Sequence, residues 1–334
     1  MNAHRTAVYP LPLKILGLGR YLPKRVVSSS ELEKRCGLPE GFCERKQGVR
    51  ERRWVEDETL SFMGAQAANE AVANAGLTLA AIDLIIDASQ GFEQAVPQGA
   101  SLIQQQLGGA GLSIPGMSVT SACLGFLVAL DVCASLLAVG RYRNILVVNA
   151  EIISAGLDAN NPNVYTMMGD GAVATVVTRT PPDETSGIHA LLMETYSEAV
   201  NVSSASRDNR RPTFFDKNLP LADIGFDFDP QFLQTTAMKH NQKFLAKLWP
   251  NADYSAFKLV IPNQASRLAL DMMKFMFPAE KIMGIIDRFG NCGSVGYPLA
   301  LYEAVLEKRL SRGDMVLLTG MGAGFSIIGM VLRY

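Results

Sequence analysis

Residues 118–140 constrain the fold more than any other stretch of this chain. A short β-type run and a turn of small residues lead to Cys123, and a long segment with almost no charge follows, up to Gly140. A helix that is apolar all round is a buried helix, and glycine is typical of the position that follows a helix. The pattern therefore predicts a strand, a turn and a buried helix, with Cys123 at the N-terminal end of that helix.

The predicted position of Cys123 also suggests chemistry. Unpaired N–H groups and the helix dipole at an N-terminus favour a thiolate over a thiol. An isolated cysteine is more often a structural residue, but the order of strand, turn, cysteine and buried helix favours a nucleophile. Cys133 is expected to lie deeper in the same helix and to react more slowly.

The rest of the chain alternates strands and helices in two similar halves. Strands are predicted at 14–19, 82–88, 144–149, 173–178, 188–196, 258–261, 282–287, 315–319 and 326–332, and helices at 28–38, 61–75, 97–107, 232–248, 265–276 and 296–308. Residues 180–185 contain two prolines and predict a joint between the halves, 1–179 and 186–334. The repeated order indicates a duplicated α/β unit with layered sheets. Residues 203–228 are predicted to be a long loop, and the basic run 48–54 a solvated face.

Composition excludes several classes of function. The chain has 334 residues, of which 48% are hydrophobic and 19% charged, so it can bury a large core. Its net charge of −1 gives no support to a nucleic-acid partner. The one long apolar helix carries Asp131, and residues 1–17 lack the pattern of a signal peptide. Five cysteines at irregular positions fit neither a zinc site nor a disulfide framework. We therefore expect a cytoplasmic protein without a membrane span or a metal site.

Five segments together resemble the signatures of the type III β-ketoacyl-acyl-carrier-protein synthases, in the thiolase-like superfamily. They are SVTSACLGF, MMGDGA, IPNQASRLAL, DRFGNCGSVG and TGMGAGFSIIG, in the family's order and spacing. The resemblance covers nearly the whole chain. It implies an α/β fold of duplicated βαβαβαββ halves that form a five-layer αβαβα sandwich, assembled as a homodimer. It also implies an enzyme that takes an acyl group from a coenzyme A or acyl-carrier-protein thioester, with no permanent cofactor.

The resemblance assigns catalytic roles unevenly. Cys123 matches the acyl-accepting cysteine, and Asn291 matches the catalytic asparagine. The family's third residue is the histidine of a Pro-His-Gln-Ala segment, but this chain has Asn263 at that place. The chain's histidines lie elsewhere, at His4, His189 and His240, and are interpreted as surface or helix-face residues. The backbone N–H groups of Cys123 and Ala323 are implied to hold the oxyanion during acylation.

Asn263 should change the reaction. An amide can donate a hydrogen bond to a developing oxyanion, but it cannot carry a proton near neutral pH. Loss of one such donor costs about 10²–10³-fold in similar sites. Decarboxylative condensation with a malonyl-type acceptor is therefore expected to be impaired or redirected, but not abolished.

Five residues are implied to contact the substrate: Phe42, Lys46, Val96, Ser266 and Arg267. Phe42 and Lys46 stand where the family clamps the adenine of coenzyme A with tryptophan and arginine, and a second family arginine falls on Ala155. These changes favour a donor bound to a carrier protein. Val96 replaces a bulky aromatic in the loop that crosses the dimer interface, so a longer or branched acyl chain would fit. Glu93 lies near the interface glutamate of some relatives, but its register differs and it is interpreted as a surface carboxylate.

The leading hypothesis is a carbon–carbon bond-forming enzyme that condenses the Cys123-bound acyl group with a malonyl- or β-ketoacyl-type thioester, in fatty acid or secondary metabolism. A second hypothesis is an acyltransferase that passes the acyl group to an oxygen or nitrogen nucleophile. A third is a non-catalytic subunit that stabilises an active ketosynthase. An inactive or engineered active site would also account for Asn263.

Overall fold

The computed structural model of the protein describes residues 10–109, 111–200, 203–204, 227–228, 230–250 and 253–334. The strands are β1 (Lys14–Tyr21), β2 (Arg25–Ser28), β3 (Glu51–Trp54), β4 (Leu84–Asp87), β5 (Gly116–Ser118), β6 (Asn144–Glu151), β7 (Gly171–Thr178), β8 (Gly187–Thr195), β9 (Ser203–Ser204), β10 (Asp227–Phe228), β11 (Leu259–Pro262), β12 (Met315–Gly322) and β13 (Ser326–Arg333). The α-helices are α1 (Ser29–Arg35), α2 (Phe42–Gln47), α3 (Leu60–Asn74), α4 (Gly99–Gln106), α5 (Gly125–Ala138), α6 (Pro162–Tyr165), α7 (Pro230–Leu248), α8 (Arg267–Met273), α9 (Ile286–Phe289) and α10 (Gly296–Leu306).

Two mixed sheets form the frame of the molecule. The first has the strand order β1-β7-β6-β4-β5, and the second has the order β11-β12-β13-β8. In the first sheet β4 runs parallel to β5 and β6, and in the second β11 runs parallel to β12. All four residues of β4 are buried, as expected for a parallel strand with helices on both faces.

Helices cover both faces of each sheet. Buried residues of α3 and α4 pack with the outer side of the first sheet, and those of α7 and α8 pack with the outer side of the second. Between the sheets, α5 and α10 form one large apolar core together with strands of both. The result is the αβαβα sandwich that the resemblance implied. The first sheet is built within residues 14–178 and the second within 187–333; the division into two units at 180–185 stays a prediction.

The predicted strand at 282–287 is wrong. Ile282 makes only an isolated bridge with Val260, and the chain then turns into α9. The side chain of Gln264 replaces a neighbouring strand here, because its Oε1 accepts from the N–H of Ile285 at 2.9 Å and its Nε2 donates to the carbonyl of Met283 at 3.0 Å. The apolar residues of this run are therefore buried without belonging to the sheet.

The basic run 48–54 is not a solvated face throughout. Arg52, on β3, is 0% exposed, and its guanidinium donates to the carbonyls of Val27 and Thr166 and to the hydroxyl of Ser29. Burial lowers the pKa of Arg52 to about 10. Successive side chains of the β2–β3 ribbon point alternately to a buried face and to a more exposed face. The basic residues of 48–54 are therefore divided between the two faces. Arg50 does lie in solvent, where it pairs with an aspartate.

Two of the sequence predictions fall largely outside the described residues. Of the predicted loop 203–228, only β9 and β10 are described, and they pair antiparallel. His4 also lies outside the described residues. Across the ranges that the structure covers, no helix is both long and apolar enough to cross a membrane.

Candidate active site

Cys123 lies in the turn between β5 and α5, two residues before the helix begins. Ala122 adopts a left-handed φ of 47°, and the N–H groups of Leu124 and Gly125 bond back into the turn. Gly125 allows the helix to start against the end of β4, because a Cβ there would lie 2.4 Å from the carbonyl oxygen of Ala88. Cys123 is partly exposed, whereas Cys133 is fully buried within α5. The predicted order of strand, turn, cysteine and buried helix is confirmed.

The thiol of Cys123 is not activated in the resting protein. Its Sγ donates to Oε1 of Gln90 across 3.6 Å. Burial, together with the charge of Glu151, raises the pKa of Cys123 to about 11, although its own N–H and the side chain of Asn263 act in the opposite direction. The expected thiolate is therefore wrong for the resting state, because desolvation and a nearby carboxylate outweigh the donors at this end of the helix.

Glu151, at the end of β6, is the polar centre of the first-sheet side of the site. Its side chain is almost fully buried, and it accepts hydrogen bonds from the N–H of Gln90 at 2.6 Å, the N–H of Gly91 at 3.2 Å and the hydroxyl of Ser294 at 2.5 Å. Burial still raises its pKa to about 7. Glu151 therefore holds the loop that presents Gln90 to Cys123. Glu151 was not among the residues predicted from the sequence, although a carboxylate at the end of a buried strand was a visible signal.

Asn263 follows β11, and the backbone of β12 positions it. Its N–H donates to the carbonyl of Thr319 at 3.1 Å, and its Nδ2 donates to the carbonyl of Met321 at 2.6 Å. The side chain lies close enough to Cys123 to lower the pKa of the thiol by hydrogen bonding. Its Oδ1 is buried and has no hydrogen-bond partner among the described residues. One N–H of the amide is thus engaged by Met321, and its buried oxygen remains available as an acceptor.

Asn291 lies in the loop after α9, where three segments of chain meet. Its N–H donates to the carbonyl of Met167 at 3.0 Å, its Nδ2 donates to the carbonyl of Ala265 at 3.3 Å, and its Oδ1 accepts from the N–H of Gly293 at 2.9 Å. A Cβ on Gly293 would lie 3.5 Å from Oε1 of Gln90, the acceptor of the Cys123 thiol. The loop that carries Asn291 therefore reaches the surroundings of the cysteine.

Ala323 lies in the turn between β12 and β13, close to Cys123. The neighbouring Gly322 packs on Leu124 so closely that a Cβ at 322 would lie 2.7 Å from the Leu124 Cγ. The structure thus brings Cys123, Asn263, the Asn291 loop and the Ala323 turn to one place, although Cys123 follows a strand of the first sheet, Asn263 and Ala323 follow strands of the second, and Asn291 follows α9. Their catalytic roles stay predictions.

Three of the predicted substrate contacts lie on two adjacent helices. Phe42 is half-buried and Lys46 is exposed on α2, and Arg267 is exposed at the start of α8. The Nη1 of Arg267 donates to the carbonyl of Glu44 at 3.4 Å, which joins the two helices. Ser266 is engaged as the cap of α8, because its hydroxyl accepts from the N–H of Ala269 at 3.2 Å.

The loop before α4 carries the remaining predicted contact. Val96 is 84% exposed, and Phe92, four residues earlier, is 71% exposed. Glu93 is an exposed carboxylate that accepts from the N–H of Ser61 at 2.9 Å, at the start of α3. Ala155, where the resemblance expected an arginine, is exposed as well.

Comparison with known proteins gives the family. The β-ketoacyl-[acyl-carrier-protein] synthase III of Aquifex aeolicus is 32% identical over 326 residues, which cover 96% of this chain and 99% of that protein. The chain belongs to the 3-oxoacyl-[acyl-carrier-protein] synthase III family. Family models for this synthase and for its C-terminal part match residues 117–197 and 251–334. The synthase III of Salmonella paratyphi A is 29% identical over 324 residues, with 96% of this chain and 99% of that protein covered.

Solved structures of synthase III proteins have the same fold. The crystal structure of the Aquifex aeolicus synthase III superimposes with a TM-score of 0.86 at 31% identity, covering 96% of this chain and all of that one. A variant of OleA from Xanthomonas campestris superimposes with a TM-score of 0.83 at 21% identity, over 97% of this chain and 98% of that one. At that identity the likeness to OleA shows the fold alone.

No described histidine of this synthase III family member stands in for the missing one. His189 lies on β8, where its Nε2 is 3.2 Å from the carbonyl of Thr185. His240 lies on α7, on the outer side of the second sheet, with its ring 3.9 Å from that of Tyr196. Within the described ranges, no three His, Cys, Asp or Glu side chains cluster as they would around a metal ion.

Proposed function

We propose that this chain is a ketosynthase of the synthase III type, in which Cys123 accepts an acyl group and condenses it with a second thioester. The observation that carries the proposal is the position of Cys123 beside the side chain of Asn263, with the loop that carries Asn291 packed against Gln90, the acceptor of the Cys123 thiol. The curated relatives named β-ketoacyl-[acyl-carrier-protein] synthase III support this reaction class.

In the first half-reaction, the Cys123 sulfur attacks the carbonyl carbon of the acyl thioester. A new S–C bond forms and the old one breaks, while the thiol proton of Cys123 passes to the leaving sulfur, so no net proton is released. Burial raises the pKa of Cys123 to about 11, so most of the resting sulfur still carries its proton when the donor binds. The N–H groups of Cys123 and Ala323 are proposed to hold the oxyanion.

In the second half-reaction, a malonyl-type thioester loses carbon dioxide, and the resulting carbanion attacks the acyl carbon. A C–C bond forms, the S–C bond to Cys123 breaks, and the released thiolate takes up one proton. Negative charge builds on the acceptor's thioester oxygen, and donors that face this oxygen lower the barrier. Asn291 has one amide N–H that the contacts described above do not use, and the amide N–H of Asn263 that does not bond Met321 is the donor available to the Cys123 sulfur or to the acceptor.

Acyl transfer to a hydroxyl or amine is the second candidate, and one observation favours it. The buried Oδ1 of Asn263, which has no partner in the described part of the chain, is an acceptor. It suits a nucleophile that carries a hydrogen, such as an alcohol or an amine, better than it suits an oxyanion. In this reaction the nucleophile would replace Cys123 on the acyl carbon, and its proton would return to the sulfur.

The proposal also includes donor, assembly and location. We propose donors bound to coenzyme A or to acyl carrier protein, with Phe42, Lys46, Ser266 and Arg267 at the entrance and no permanent cofactor. We propose that the protein is cytoplasmic and that it forms a homodimer. The homodimer is proposed because Phe92 and Val96 leave two large apolar side chains exposed on one loop, and clustered exposed apolar residues are typical of protein interfaces.

The deciding experiment is intact-mass spectrometry after exposure to a panel of acyl-coenzyme A and acyl-carrier-protein donors. We expect a mass increase equal to the acyl group, located on Cys123, with at least one donor. The loaded protein is then given either a malonyl thioester or a set of alcohols and amines. Release of carbon dioxide supports condensation, and acyl esters or amides support transfer. If no donor loads Cys123, the proposed enzyme activity is wrong and a non-catalytic subunit is favoured.

A further inference from the structure

Tyr297, the second residue of α10, carries an unpartnered polar group at the site. Its side chain is 0% exposed. Across the described ranges, the only buried side-chain oxygens that lack a hydrogen-bond partner are the Tyr297 Oη and the Asn263 Oδ1. Buried hydroxyl groups in proteins are nearly always paired. Two such oxygens close together leave hydrogen-bonding capacity that a polar group of a ligand can use.

The Tyr297 hydroxyl lies against the same part of β12 as Asn263. A Cβ built on Gly320 would be 2.5 Å from the Tyr297 Oη and 2.7 Å from the Asn263 Cβ. Any side chain at position 320 would therefore displace both Tyr297 and Asn263, and glycine at this position leaves space for both side chains. Cys123 is close as well, because the charge of its thiolate contributes to the raised pKa of the phenol.

We propose that Tyr297 is a further catalytic residue, whose hydroxyl donates a hydrogen bond to the thioester oxygen of the acceptor in the second half-reaction. This inference rests on the proposed condensing function. Tyr297 makes and breaks no covalent bond and transfers no proton. It stabilises the negative charge that develops on the acceptor oxygen as carbon dioxide leaves.

The chemistry of the site favours the phenol for this role. Burial raises the pKa of Tyr297 well above its usual value, so the hydroxyl keeps its hydrogen at every pH at which the protein would work. Asn263 has already committed one N–H to the carbonyl of Met321. A site that lacks the family's histidine thus has a tyrosine donor beside the asparagine that replaces it.

The test is Tyr297→Phe, with each half-reaction measured separately. This change removes only the hydroxyl and keeps the ring in the core. We expect loading of Cys123, followed by intact mass, to be unchanged. Carbon dioxide release from the malonyl thioester in a single turnover should fall by about 10–10²-fold, toward the effect of losing one oxyanion donor. The melting temperature should stay the same or rise, because the change removes a buried hydroxyl that has no partner in the described chain.

Tyr302→Phe is the matched control on the same helix. The Tyr302 hydroxyl donates to Oε1 of Glu70 at 2.7 Å, on a side of α10 that faces β1 and α3. This variant should leave both half-reactions unchanged and lower the melting temperature. If Tyr297 had only a structural role, Tyr297→Phe would behave like Tyr302→Phe: the melting temperature would fall and both half-reactions would be unchanged.

The possible outcomes separate the two proposals. If the wild-type protein never loads Cys123, the proposed function fails and the role of Tyr297 fails with it. If Cys123 loads normally and Tyr297→Phe releases carbon dioxide at the wild-type rate, only the role of Tyr297 is overturned. Should Tyr297→Phe fail to fold, 3-fluorotyrosine in place of Tyr297 keeps the hydroxyl and makes it a stronger donor. A change of several-fold in the second half-reaction alone is then expected, and no change overturns the role.

Discussion

The two sides of the site differ in how fully their polar groups are paired. On the first-sheet side, Glu151 accepts three hydrogen bonds and Gln90 accepts the thiol of Cys123. On the second-sheet side, Asn263 and Tyr297 each bury an oxygen that has no partner among the residues described. A paired network holds a geometry, whereas a buried polar group without a protein partner is stabilised when a ligand or a water molecule pairs with it. This difference is the reason for our proposal that the first side positions the nucleophile and the second receives the acceptor.

Cys123→Ala should have the largest effect. It removes the sulfur that is proposed to accept the acyl group, so acyl loading should fall to zero while the circular dichroism spectrum and melting temperature stay close to wild type. Cys36→Ala is the control, because Cys36 is also partly exposed but lies at the end of α1. If Cys123→Ala still gains the acyl mass, another residue is the nucleophile.

Asn263→Ala should act on the acceptor side alone. We expect the second half-reaction to fall by about 10–10³-fold while loading of Cys123 is nearly unchanged, because loading is proposed to use backbone donors. Asn74→Ala is the matched control: its Nδ2 also donates to a backbone carbonyl, that of Leu18 at 2.8 Å, but on α3. It should leave both half-reactions as they are.

Asn263→His tests whether the asparagine is adapted to this reaction. It restores the family's donor, so malonyl decarboxylation should rise. An adapted asparagine predicts that the variant gains decarboxylation but loses the native product, and an inactive or substituted site predicts a simple gain of activity. If neither variant at this position changes any turnover, Asn263 does not contribute to the reaction.

Parts of this comparison could be predicted from the sequence. The long apolar run after Cys123 predicted a buried helix because no other structure hides such a stretch, and the PNQA segment placed Asn263 in the site. The raised pKa of Cys123 could not be predicted, because it depends on burial by the folded chain and on the charge of Glu151, which is brought there from another strand of the first sheet. Tyr297 was missed because a tyrosine within an apolar helix gives no sign of where its hydroxyl points.

Arg52 and the run 282–287 show the same limit in the fold. A basic run predicts solvent exposure, but Arg52 is buried because carbonyls and a hydroxyl from distant segments receive its guanidinium. The apolar residues 282–287 predicted a strand, and only the side chain of Gln264 accounts for why they do not form one. In each case the deciding partner is far away in the sequence.

Glu151→Gln should have a moderate effect on the first side. Without the carboxylate charge, the pKa of Cys123 should fall below about 11, and alkylation by iodoacetamide at pH 8–9 should become faster. A decrease of one pKa unit corresponds to about tenfold more thiolate. Glu184→Gln is the control, because Glu184 is exposed and pairs with Lys14. Unchanged alkylation in Glu151→Gln would mean that burial alone raises the pKa.

Glu151→Gln should also change how the free energy of unfolding depends on pH. The pKa of Glu151 rises from its usual value near 4.5 to about 7 in the folded protein. The protonated carboxyl of Glu151 therefore makes its full contribution to the free energy of unfolding below about pH 4.5. This contribution is lost as the pH rises through about 7 and the carboxyl ionises. Relative to wild type, the free energy of unfolding of Glu151→Gln should increase by up to about 3 kcal/mol between pH 4.5 and 8. Denaturant unfolding at several pH values measures this, and a parallel pH dependence of the two proteins would contradict it.

Lys46→Ala should have the smallest effect, because it acts at the entrance and not at the sulfur. Lys46 is exposed on α2, and an exposed cation contributes weakly and in a salt-dependent way to phosphate binding. We expect KM for the acyl donor to rise a few-fold at low salt, with kcat unchanged, and the difference to shrink as salt is added. Lys258→Ala is the control, because Lys258 is exposed just before β11, at the end of that strand opposite to Asn263.

A rise in KM for coenzyme A donors alone would indicate that the Lys46 ammonium group contacts the nucleotide phosphate. A rise for carrier-protein donors as well would indicate that Lys46 meets what the two donors share, the phosphopantetheine arm. If kcat falls instead, Lys46 acts on the chemistry, and the distinction between an entrance and a reaction site is wrong at this position.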